Sequence, residues 1–165
     1  MNRRKKIFIL STLGLVCAAA QADDDLLQSR SIGLAAAQEA VAAAVAACSA
    51  RGLFVSAAVV DRAGQLVALN RADGAGPHTP ESARRKAYTS ASLRNSTNVI
   101  LRNTQTNPAA ANLVWIPEFL VLGGGLPIRA GNQVVGGIGV GGAPSGDIDE
   151  QCAQAGIESL SGKFN

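Results

Sequence analysis

Apolar and polar positions recur along this chain with two different periods, and the switches between them mark its elements. From Leu26 to Arg51 alanine dominates, and Leu34, Val41, Val45 and Cys48 fall on one face at helical spacing before Gly52. That pattern predicts a long helix with a close-docking alanine face, stopped by a residue that tolerates the left-handed conformation. Leu53 to Val60 is short and β-branched, Asp61-Arg62-Ala63-Gly64 is turn-forming, and Gln65 to Asn70 returns as a strand. An antiparallel hairpin is expected, with Asp61 capping backbone N–H groups of its turn.

The loop Arg71 to His78 contains two glycines and leads into Thr79-Pro80, where threonine is expected as N-cap and proline in the first turn. The helix should reach about Ser96, with Ala83, Ala87 and Ala91 as a small inward stripe. Arg84, Arg85 and Lys86 spread around that helix, so they do not all face one site, and solvation is expected for most of them. A short helix is expected before Asn107-Pro108. Pro117 to Leu122 and Leu126 to Arg129 are predicted strands around Gly123-Gly124-Gly125, and Val134 to Val140 is another. In that last strand Val134, Ile138 and Val140 face one way, while Gly137, Gly139 and Gly141 face the other. A glycine face admits a helix, a second subunit or a flat ligand. The same run fits G-x-G-x-x-G, but the chain ends before the βαβ unit and acidic partner that dinucleotide binding requires. Asp147 with Glu150 predicts a capping box for a final helix whose apolar face is Ile148, Cys152, Ile157 and Leu160. The element order gives an α+β fold with a mostly antiparallel sheet.

The N-terminus changes the electrostatics. Arg3, Arg4, Lys5 and Lys6 precede an apolar run from Ile7 to Ala20, and Ala20-Gln21-Ala22 is followed by Asp23 to Asp25. This is the layout of a cleaved signal peptide, residues 1–22, which leaves a single domain over 23–165 and a periplasmic or secreted protein. The run is too short to span a bilayer. Lipidation at Cys17 is disfavoured by Val16 immediately before it. Removing the four cations from 15 Lys and Arg leaves 11 against 12 Asp and Glu, a net charge near −1. The pI of 9.0 therefore belongs to the precursor, and nucleic-acid binding has no electrostatic basis.

Two cysteines remain after cleavage, Cys48 and Cys152. In an oxidising compartment they are a disulfide candidate, since each lies on the apolar face of a terminal helix that must cover the sheet. The other reading is two buried thiols. His78 is the single histidine, which excludes multi-histidine metal sites within one chain and leaves a lone general base or one axial ligand to haem.

Val59-Val60-Asp61-Arg62-Ala63-Gly64, Arg71-Ala72-Asp73-Gly74-Ala75 and Arg85-Lys86-Ala87-Tyr88-Thr89 together resemble the GlcG/HbpS family. Gly123-Gly124-Gly125-Leu126-Pro127-Ile128, Val135 to Gly142 and Asp149-Glu150-Gln151-Cys152-Ala153-Gln154-Ala155-Gly156 continue the pattern, so the resemblance covers roughly 31–160. It implies a profilin-like α/β/α architecture with a five-stranded sheet, assembly into homo-oligomers and, in some members, haem binding. The export signal favours the secreted, haem-binding branch.

The leading expectation is an exported haem-binding or haem-handling module. His78 would be the axial metal ligand, Arg71, Arg85 and Lys86 would face the propionates, and the glycine strand face would admit the porphyrin. Tyr88 or a threonine oxygen is the fallback ligand. The alternative is an enzyme or binding protein for a small carboxylate or aromatic degradation product, gripped by Arg71 or Arg129, with His78 or Asp61 moving a proton. A third reading is a structural oligomer, or an accessory partner of a sensor or transporter.

Overall fold

A computed structural model describes residues 26–164. The expected signal segment and the acidic residues 23–25 lie outside the described residues. The elements are α1 (Leu34–Ser49), β1 (Ser56–Asp61), β2 (Leu66–Arg71), α2 (Thr79–Leu93), α3 (Thr97–Thr106), a 3₁₀ segment at Pro108–Trp115, β3 (Gly125–Ala130), β4 (Gln133–Gly141) and α4 (Gly146–Glu158). The sheet is antiparallel throughout, in the order β2-β1-β4-β3. It has four strands, one fewer than expected.

The missing strand is Pro117 to Leu122. Its residues are β-prone, but Glu118 takes φ 70, a tight turn returns Phe119 N–H to Ile116 O, and the carbonyls of Glu118 and Phe119 accept from Arg85. A backbone whose acceptors face a guanidinium does not enter a ladder. The first helix is also shorter than its alanine content suggests. The helix begins only after the extended N-cap Gly33, and Ile32 N–H donates to Val135 O at 2.9 Å, which ties the preceding segment to β4.

The sheet separates two unlike layers. On one side α1 and α4 pack against Ile128, Val135, Ile138 and Val140, all nearly or fully buried. Cys48 of α1 and Cys152 of α4 form a disulfide there, with Cα atoms 5.6 Å apart. On the other side lies α2, whose inward stripe is Ala83, Ala87 and Ala91, as expected. Its partner is the glycine face of β4. A Cβ on Gly139 would stand 2.2 Å from Ala83 O, and one on Gly137 would stand 2.4 Å from Ala87 O. The glycines therefore admit a helix backbone, and the porphyrin expected on that face has no room.

Both expected helix starts are displaced. His78, not Thr79, is the N-cap of α2; Thr79 Oγ1 instead donates to Gly76 O at 2.8 Å and lies 2.7 Å from Ser56 Oγ. In α4 Ser145 is the cap, its Oγ accepting from Ile148 N–H at 3.3 Å. The Asp147–Glu150 capping box does not form: Asp147 accepts from Asn98 Nδ2 and Glu150 from Ser96 Oγ. These bonds fasten α3 to α4.

Candidate functional site

The loop between β2 and α2 brings several sequence candidates to one end of the molecule. Gly74 takes φ 82, which turns the chain back toward the sheet. Arg71 donates from Nε and Nη2 to Ala75 O across that turn. A guanidinium has five N–H donors, so this bond fixes the side chain and leaves donors free for an anion. The His78 imidazole is exposed and stacks over Gly76, where an added Cβ would meet its Cε1 at 2.9 Å. Phe54, 61% exposed, lies against Gly74 in the same loop. An imidazole, an aromatic ring and a guanidinium thus share one loop surface. Phe54 carries no site signal in the sequence, because its strand-like surroundings predict burial.

The three consecutive cations of α2 separate, as helical geometry requires, but none is merely solvated. Arg84 bonds Glu81 through Nε and Nη2 and also reaches Glu118. These two carboxylates hold its pKa above the ordinary guanidinium value, and Arg84 in turn lowers that of Glu81. Arg85 secures the Glu118 and Phe119 carbonyls. Lys86 is 1% exposed, its Nζ 2.7 Å from Asp149 Oδ2 and 3.0 Å from Val140 O. Asp149 Oδ1 accepts from Ala143 N–H at 3.0 Å. Burial pushes the Asp149 carboxyl above the usual carboxylate range, while Lys86 and the Ala143 N–H pull it back down.

Lys86 is therefore corrected as a propionate cation, since it is locked inside the protein by Asp149. Arg85 is half-buried and holds the Glu118–Phe119 backbone through two of its five N–H donors. The Lys86–Asp149 pair passes Gly124, where a Cβ would lie 2.6 Å from Asp149 Cβ and 3.1 Å from Nζ, and so links α2 to α4 around the end of the sheet. A signal for it exists in the sequence. Asp149, Cys152, Ala153 and Gly156 follow a helical inward spacing, and an acid in such a stripe demands a buried cation.

The remaining candidates fall elsewhere. Asp61 Oδ1 accepts from Ala63 and Gln65 N–H at 2.8 and 2.9 Å, which is the capping role expected of it and not proton transfer. Tyr88 packs under Gly64 and edge-on to Phe119, with ring centroids 6.0 Å apart. Buried Thr79, Thr89 and Thr97 each hydrogen-bond neighbouring backbone. Arg129 lies at the opposite end of α2, with Nη2 donating to Arg94 O at 2.7 Å. For a helix of 15 residues that is about 22 Å from the His78 loop. The principal surface cavities are not lined by Arg71, His78, Arg85 or Lys86.

Comparison with known proteins adds four findings. Residues 32–158 match the family model described as haem degrading protein HbpS-like. A crystal structure of a double mutant of HbpS from Streptomyces reticuli superposes with a TM-score of 0.80 at 42% identity, covering 90% of this chain and 99% of that one. An uncharacterized 15.0 kDa protein from the dhaT-dhaS intergenic region of Citrobacter freundii is 31% identical over 117 residues, 70% of this chain and 82% of its own length. The fold is also that of PduOC, solved as a haem complex, at 21% identity and a TM-score of 0.71, covering 79% of this chain and 96% of that one.

Proposed function

Because the chain belongs to the HbpS-like family, we propose that it is an exported haem-binding protein that holds haem at the loop before α2. The observation that carries this reading is the His78 imidazole, exposed on the same loop surface as Phe54 and the partly free Arg71. This donor set fits haem: a nitrogen ligand for iron, an aromatic wall for the porphyrin and a cation for a propionate. Once bound, haem would supply iron redox chemistry. The chain's own part is to ligate, orient and shield. The family description and the haem complex of a fold relative support the same cofactor.

A loop surface covers one face of a porphyrin, so the slot is completed by a second copy, and two imidazoles on one iron would likewise need two subunits. Exposed Val114 and Trp115 at the end of the 3₁₀ segment and Ile116 just after it, with Trp115 80% exposed, support a homo-oligomer more directly than the alanine and glycine faces, which are used inside the fold. The Cys48–Cys152 disulfide supports an oxidising compartment and hence the cleaved signal. Among the described residues no helix is long and apolar enough to cross a membrane. A sensor or transporter would then be the natural recipient of the haem state.

Hemin titration of the wild type and of His78→Ala, followed at the Soret band, tests the assignment. The wild type should saturate, and the variant should bind at least tenfold more weakly with a displaced band. Identical titrations would remove His78. No band in either protein would favour the small-carboxylate reading, in which Arg71 or Arg129 is the grip and His78 is the remaining proton carrier now that Asp61 is committed to its turn.

A further inference from the structure

We infer that the far end of α2 carries a second ligand site, for a compact polyanion bearing two or more carboxylate or phosphate groups. A cavity of about 390 Å³ opens where the end of α2 meets the β1–β2 turn and the β3–β4 hairpin. Its charged lining comes from three separate segments: Arg62 of the turn, Arg94 at the C-cap of α2, and Arg129 of β3. No carboxylate lines it, and none of the three arginines belongs to an ion pair among the described residues.

The helix end accounts for only one of these cations. Its unpaired carbonyls carry a partial negative charge that a single positive group offsets. Arg129 does so, through the 2.7 Å bond from Nη2 to Arg94 O. Arg94 itself holds φ 55, in the left-handed region where glycine ordinarily ends a helix. Glycine there would relieve the backbone but bring no charge to the cavity. Arg62 is tied by its backbone, its N–H donating to Ser31 Oγ at 3.2 Å, which leaves the guanidinium exposed at the rim.

Chemistry then selects the ligand. The volume lies within the range of small-molecule sites, which are usually apolar. This lining is not: apart from one alanine and one valine it is arginine together with Ser92, Asn132 and Gln133. Arginines lining one cavity from three segments suit an ion with several charged groups, each able to be taken in a fork, while the amides and the hydroxyl can bond the remaining oxygens. The site is independent of haem binding, because it lies a helix length from His78.

Calorimetric titration of the mature protein with citrate and with pyrophosphate provides the test. At low ionic strength saturable binding of at least one probe is expected. It should weaken about tenfold or more in Arg62→Gln, weaken again in Arg62→Gln/Arg94→Gln, and fall steeply with added salt. Hemin affinity should be unchanged in both variants. Arg62 has no described side-chain partner, so its substitution leaves the fold intact, which circular dichroism verifies. Absence of saturable binding to either probe, or equal affinity in the double variant, would overturn the site. A fall in hemin affinity without binding of either probe would assign the cations to haem propionates and overturn it equally.

Discussion

The two faces of the sheet are built on opposite principles. The α1/α4 face is filled by branched aliphatic side chains that interlock and are clamped by the Cys48–Cys152 disulfide. The α2 face has almost no side chains to interlock, since alanine meets glycine and the helix backbone rests on the strand. Volume holds the first face together, whereas the second relies on close approach and polar pins. Lys86 reaches round to Asp149 and donates to Val140 O of β4, and Thr79 meets Ser56 of β1. A helix placed this way cannot shift without losing its pins, so its two ends present fixed groups to solvent.

The largest way to break this contrast is at Lys86. Lys86→Met should cost about 3–5 kcal/mol, because it strands the buried Asp149 carboxylate, while adding Asp149→Leu should restore most of the loss. Urea unfolding of the two single variants and the double variant checks the cycle. A mild single variant would mean that water reaches the pair. On the opposite face, replacing Cys48 and Cys152 by alanine should cost about 2–5 kcal/mol, read as a lower midpoint in the same assay. That change loosens one layer and should leave the α2 end groups in place.

A smaller loss, about 1–3 kcal/mol, is expected from Gly139→Ala, since the added methyl meets Ala83 O. The same substitution at Gly131, where nothing lies within 4 Å, strains only the backbone at φ 58. Thermal unfolding of the pair separates crowding from conformational strain. The smallest effect concerns Glu81, whose pKa is lowered by Arg84. Its contribution is present above the ordinary carboxylate value and is lost as pH falls through the depressed one. Glu81→Gln should therefore cost a few tenths of a kcal/mol, about 0.2–0.5, at neutral pH and nothing in strong acid.

Much of this architecture is legible in the chain because it is periodic. The alanine stripe at Ala83, Ala87 and Ala91 and the odd-numbered glycines of β4 announce a close helix-on-strand contact, and two cysteines on apolar helix faces announce their bridge. Periodicity cannot say which of several flat partners occupies the glycine face, and the helix took the place expected for porphyrin. Pro117 to Leu122 misleads because β-propensity describes side chains, while Arg85 decides the fate of its carbonyls. Lys86 misleads because a cation that follows two arginines is expected in solvent. The arginines at the far end of α2 come from segments distant in sequence, so no local motif joins them.

Since α2 closes the glycine face, the proposed function places haem at the head of that helix. Two-dimensional NMR of the isotope-labelled protein with ferric hemin locates it directly, through paramagnetic broadening of nearby amides. Broadening should centre on residues 71–78 and Phe54, and leave Arg94 and residues 129–134 sharp. Broadening centred on β4 and the inner face of α2, with the His78 loop unaffected, would contradict the account.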